Sequence, residues 1–184
     1  MNTNKAILLI EFQKQWTWNF IHNFFIKKQL KSKKVLENSK KLVEESRKKW
    51  FKIVHAPIII DPKNKKWLFA KLTFWLFFTK WKENSELTEW FFEKWDIIVK
   101  WRYTFDAFTW SDLETILKKN NLKEIYVCWF TTDQCVSKTL KTLIKKWYNW
   151  FLVSNCTATL NSFLQKRIEN KFKNNTIESK IIYN

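Results

Sequence analysis

The sequence predicts an α/β layer sandwich built on a mainly parallel sheet, and three observations carry that prediction. Short apolar runs alternate with segments of helical periodicity along most of the chain. Strands separated by helices pair in parallel through right-handed crossovers. The 184 residues are 46% hydrophobic, enough for one core, and no repeat or linker divides them, so a single domain over 1–184 is expected.

The elements follow in order. Lys5–Phe12 is a strand-like run, Lys34–Lys49 an amphipathic helix and Phe51–His55 a second strand. Asp61–Glu93 has no clear period. Asp96–Lys100 reads as a strand and Ser111–Asn120 as a helix opened by a Ser-Asp start. Glu124–Cys128 is a strand, Val136–Lys146 a helix, Asn149–Ser154 a strand and Leu160–Lys173 a helix. Ser179–Tyr183 reads as a last strand.

Composition departs from the ordinary at one point. Average usage of roughly 7% glycine predicts about 13 glycines in a chain of this length. There are none, and there are 13 tryptophans. Several of these stand where backbone geometry asks for glycine. Trp50 and Trp147 follow helices at the position that favours a left-handed residue, Trp95 enters a strand, and Trp110 precedes a helix start. Trp129 occupies the turn between a strand and the segment carrying Cys135. An indole fits badly at positive φ, where glycine is free. The expectation is that these tryptophans stand for UGA codons read as glycine, an alternative genetic code. The richness in Lys, Asn, Ile and Phe agrees with an AT-rich genome.

The formal charge of +17 comes from 34 basic and 17 acidic residues. The lysines are scattered over helix faces, which reads as a solvated surface and disfavours nucleic acid as a partner. No apolar span reaches the length that crosses a membrane. The start "MNTNKAILLIEFQ" reads as a first strand, not as a secretory signal. Cys128, Cys135 and Cys156 form no paired framework and lack zinc spacing, so the expected compartment is the reducing cytoplasm.

In open parallel sheets, ligands bind beyond the carboxyl ends of the strands. Glu11, Lys100 and Cys135 all fall at such ends. Cys135 heads a helix, whose N–H groups and dipole favour a thiolate and could hold an oxyanion; a nearby lysine would lower the thiol pKa further. Glu11 ends an apolar strand, where a carboxylate needs a reason to be buried.

With glycine at position 129 the turn reads "VCGFTTDQCV", and the chain resembles the isochorismatase-like cysteine hydrolases. The stretches that carry the likeness are "ILLIEFQ", "VKWRYTFDAFTWSDL", "WFTTDQCV" and "SNCTAT", in that order. It is weak over Ile21–Lys33 and Pro62–Trp90. The resemblance implies a three-layer Rossmann-like sandwich and a catalytic acid, base and thiol: Glu11 in place of the family's Asp, Lys100, and Cys135. Arg102 is the alternative to Lys100, which is preferred because it ends the strand and because arginine cannot lose a proton. The resemblance further implies a cis peptide between Phe130 and Thr131, an oxyanion hole from the amides of Thr131 and Cys135, and Phe108 lining the substrate pocket. With only His22 and His55 available, no zinc or iron, and no other cofactor, is expected. The activity implied is hydrolysis of a carbon–nitrogen bond in a small amide, carbamoyl or ureido substrate. The alternative is a catalytically silent protein of the same fold that binds a ligand or nucleic acid. A homo-oligomer stays open.

Overall fold

The computed structural model of the protein describes residues 3–14, 27–60, 63, 86–88 and 91–183. Six parallel strands form its sheet: β1 (Lys5–Ile10), β2 (Lys52–Ala56), β3 (Ile97–Ile98), β4 (Glu124–Phe130), β5 (Asn149–Ala158) and β6 (Thr176–Ile177). They lie in the order β3-β2-β1-β4-β5-β6. The helices among the described residues include α1 (Val35–Lys48), α2 (Leu113–Lys119), α3 (Ser137–Lys145), α4 (Ser162–Lys171) and α5 (Lys180–Tyr183). The expected α/β sandwich with a parallel sheet is therefore the observed architecture.

The strand alternation explains the layers. In β1, Ile7 and Leu9 join one apolar cluster with Leu42, Val43 and Phe51, while Ala6, Leu8 and Ile10 join another with Leu117, Leu140 and Leu143. Both faces of β1 are thus buried, as a central parallel strand requires. Burial of a Leu or Ile side chain stabilises by roughly 1.5–3 kcal/mol, so these two clusters are the main source of stability.

Helices α1, α2 and α3 end in the same way. After α1, Phe51 N–H donates to Ser46 O at 3.0 Å; after α2, Leu122 N–H donates to Leu117 O at 2.9 Å; after α3, Tyr148 N–H donates to Leu143 O at 3.1 Å. Each is the six-to-one bond of a Schellman motif, with the preceding residue in the left-handed region. Those residues are Trp50 (φ 64°), Asn121 (φ 51°) and Trp147 (φ 60°). Asparagine is a natural second choice there and tryptophan is not.

Trp101, Trp110 and Trp129 also have positive φ, at 61°, 53° and 86°. Trp129 sits where the β4–β5 register shifts, a bulge position of the kind glycine often marks. Trp95 does not belong to this group, whereas Trp101, not singled out from the sequence, does.

Two elements differ from expectation. The segment Ser179–Tyr183 is not a strand: the last strand is Thr176–Ile177, and α5 follows it. Asn155 Nδ2 donates to Ser179 Oγ, and Ser179 N–H donates to Asn155 Oδ1, each at 2.9 Å, which satisfies the backbone there without a ladder. The strand at Asp96–Lys100 is shorter than expected because the Asp96 carboxylate turns inward to Arg47 and His55. Much of Asp61–Glu93 lies outside the described residues, as does His22.

Candidate active site

Strand order creates the site. β1 leads through α1 to β2 on one side, while β4 and β5 build the other side, so the direction of winding reverses between β1 and β4. A crevice opens at such a switch point, beyond the strand ends. Glu11 leaves β1 there, and the segment after β4 runs into Cys135.

Glu11 is 1% exposed and holds a φ of 59°. Its N–H donates to Ala56 O at 3.2 Å, which ties it to the end of β2. A non-glycine residue in this region is uncommon, and backbone strain of this kind gathers at functional sites as well as at helix ends.

The basic partner is Arg102. Its guanidinium is buried, and Nη2 lies 2.7 Å from Glu11 Oε1. Nη1 donates to Ala56 O, Nε to Thr104 O at 3.1 Å and Nη2 to Phe105 O at 2.9 Å. A buried charge is tolerated only when paired and hydrogen-bonded, and each guanidinium nitrogen is engaged. Lys100 is elsewhere. It is exposed, and its N–H donates to Asp112 Oδ1 at 2.7 Å, near the start of α2. The left-handed turn at Trp101 separates the two residues, sending Lys100 outward and Arg102 into the crevice. The expectation for Lys100 is corrected accordingly.

Cys135 is 3% exposed, in a π-helical turn (Thr132–Val136) that leads into α3. Gln134 N–H and Val136 N–H both donate to Thr131 O at 3.2 Å, which closes that turn. The Phe130–Thr131 peptide is cis. Burial pushes the Cys135 thiol well above its ordinary pKa, the Glu11 carboxylate adds to the rise, and Arg102 opposes it. Burial works against the thiolate that the sequence leads one to expect at this helix start. The other two cysteines are buried as well. Burial raises Cys128, and Cys156 is pushed up to about 12.

Phe108 is not beside Cys135. Its ring lies 6.2 Å from that of Tyr148 and 5.9 Å from Lys146 Nζ, at the far end of α3. The loop runs alongside α3 in the same direction: Lys138 Nζ stands 4.1 Å from the Phe105 ring, Ala107 N–H donates to Thr139 Oγ1 at 3.0 Å, and Thr142 Oγ1 donates to Asp106 Oδ2 at 2.8 Å. Phe105, whose carbonyl accepts from Arg102, is an aromatic residue beside the Glu11–Arg102 pair that the sequence reading did not single out.

Behind the turn, Thr132 Oγ1 donates to Gln165 Oε1 at 2.8 Å, and Thr159 Oγ1 donates to Asp133 Oδ1. His55 is fully buried, 3.0 Å from Asp96, a carboxylate that is also engaged by Arg47. Among the described residues, no group of three or more His, Cys, Asp or Glu could hold a metal ion, and no helix is long and apolar enough to cross a membrane.

Comparisons with known proteins find the same fold. The chain matches a cysteine hydrolase from Pseudomonas syringae pv. phaseolicola with a TM-score of 0.83 at 15% identity, covering 98% of this chain and 91% of that one. An isochorismatase-like hydrolase from Alkaliphilus metalliredigens matches at 0.81 and 16% identity, covering 98% and 97%. An N-carbamoylsarcosine amidase from Thermoplasma acidophilum matches at 0.75 and 14% identity, covering 96% and 97%. No curated protein sequence matches significantly. The isochorismatase domain model matches residues 5–177, so the chain belongs to the isochorismatase family, as an isochorismatase-like hydrolase.

Proposed function

We propose that the protein hydrolyses a carbon–nitrogen bond of a small amide, carbamoyl or ureido compound, with Cys135, Glu11 and Arg102 as its working residues. The observation that carries this is the buried Glu11–Arg102 ion pair at the switch point of the sheet, where the segment after β4 brings in the buried thiol of Cys135. The fold shared with an amidase named for N-carbamoylsarcosine supports the substrate class.

The resting nucleophile is the neutral thiol. As Cys135 Sγ attacks the substrate carbonyl, Glu11 takes the thiol proton. The carbonyl oxygen gains negative charge, and the amides of Thr131 and Cys135 are the proposed donors to it. Collapse breaks the carbon–nitrogen bond, and Glu11 returns the proton to the leaving nitrogen. Water, deprotonated by Glu11, then cleaves the thioester, releasing the acid and restoring the thiol. Arg102 keeps Glu11 anionic and aimed; it does not exchange a proton itself.

A panel of small amides and ureido compounds, read by ammonia or amine release, tests this. It should be run on the chain as written and on a version with glycine at all thirteen tryptophan positions. Turnover of one class that disappears in Cys135→Ala is expected. Undiminished turnover in that variant excludes the assignment, and a panel without any turnover favours the silent, ligand-binding alternative.

A further inference from the structure

Helix α4 buries a single residue, and that residue is polar: Gln165, 1% exposed. Both ends of its amide are used. Oε1 accepts from Thr132 Oγ1 at 2.8 Å; Nε2 donates to Glu169 Oε1 at 2.7 Å and to Thr157 Oγ1 at 3.3 Å. Glu169 is held in turn by Lys33 Nζ at 2.6 Å, and Lys33 also donates to Ser154 O at 3.4 Å. An apolar side chain would anchor α4 to the sheet without the desolvation cost of an amide. What the amide adds is direction, because Thr132 is the first residue of the turn that carries Cys135.

We propose that Gln165, braced by Glu169 and Lys33, is a positioning residue that fixes the nucleophile turn through the Thr132 hydroxyl. This rests on the hydrolase reading above. Small misplacements of reacting groups cost large factors in rate. Gln165→Met and Thr132→Val should each lower kcat about tenfold with KM nearly unchanged, as positioning effects do. The double variant should be no worse than either single one, since both remove one shared contact. Thr132→Ser should keep the activity. A lower Tm with kcat unchanged in both single variants would mean that the network only anchors α4, and would overturn the proposal. Thr132→Val carries the test if Gln165→Met does not fold. Were the unsubstituted protein to turn over nothing, iodoacetamide labelling of Cys135 would still report on the turn. Loosening should speed it about tenfold by relieving burial, and equal rates would reject the positioning role.

A separate observation, the backbone angle, carries a second inference that needs no reading of function. Of the seven tryptophans among the described residues, five have positive φ: Trp50, Trp101, Trp110, Trp129 and Trp147. Four of these are exposed by 42% or more, so packing does not hold them there. The fifth, Trp129, is fully buried with its Nε1 unpartnered, which an indole in a core normally avoids. The chain has no glycine to fill such positions. We infer that the cell inserts glycine where tryptophan is written, through UGA codons. Peptides from the protein isolated from the cells that make it should be lighter by the indolylmethyl group at all five positions; intact tryptophan there would refute the inference. In the chain as written, Trp147→Gly should raise Tm by a few degrees and Trp147→Ala should not, since alanine meets the same steric cost at positive φ. An equal rise in both would count against a backbone origin.

Discussion

Cys135 is buried, and burial holds its thiol well above the ordinary pKa. Its raised pKa comes first from burial and then from the Glu11 charge, so alkylation by iodoacetamide should be slow at pH 7 and should climb only past the free-thiol range near about 8.5. A plateau reached below pH 8 would contradict the buried-thiol assignment. Arg102→Met removes the guanidinium from the buried Glu11 carboxylate, and the expected loss in urea unfolding is roughly 3–5 kcal/mol. A change under 1 kcal/mol would mean that the 2.7 Å contact is not maintained in solution. Glu11 and Cys135 were legible in the sequence because each is a polar residue at the end of an apolar strand. Arg102 was not. Its inward turn depends on a positive φ at position 101, and tryptophan at that position hides the turn.

The elements were read well where periodicity is strong, as in α1 and α3, and less well where polar contacts replace it. The shortened β3 is the clearest case. Asp96 links three elements: it accepts from Arg47 Nη2 of α1 at 2.6 Å and from the Glu93 N–H at 2.9 Å, and lies 3.0 Å from His55 Nε2 of β2. Burial alone would raise its pKa, but the hydrogen bonds from His55, Glu93 and Arg47 together with the Arg47 charge outweigh burial and hold the carboxyl below its ordinary value. A depressed carboxyl stabilises the fold above the unfolded pKa of about 3.9, and that contribution is lost as pH falls through the lower folded value. Stability should therefore fall below about pH 4, and Asp96→Asn should flatten that fall. The same variant should cost roughly 1.5–3 kcal/mol at pH 7, the range for hydrogen bonds to a charged group. Loss of pH dependence without loss of stability at neutral pH would not fit this linkage. The helix ends were legible for a different reason: a C′ position is recognisable by spacing even when the wrong residue type stands in it.

At the scale of the molecule, strand order makes the site. Glu11 and Cys135 are separated by more than half the chain, yet β1 and β4 are neighbours, with Ile10 paired to Trp129 at their carboxyl ends. Alternating strands and helices were enough to predict that meeting, because parallel crossovers bring the strand ends to one rim. The position of Phe108 was not predictable in this way, since it depends on how the loop lies along α3. Trapping the acyl enzyme tests the central claim most directly. An acid-quenched reaction with a turned-over amide, digested and weighed, should carry the acyl group on the peptide containing Cys135 and on no other. Turnover with that peptide unmodified, and undiminished in Cys135→Ala, would contradict it.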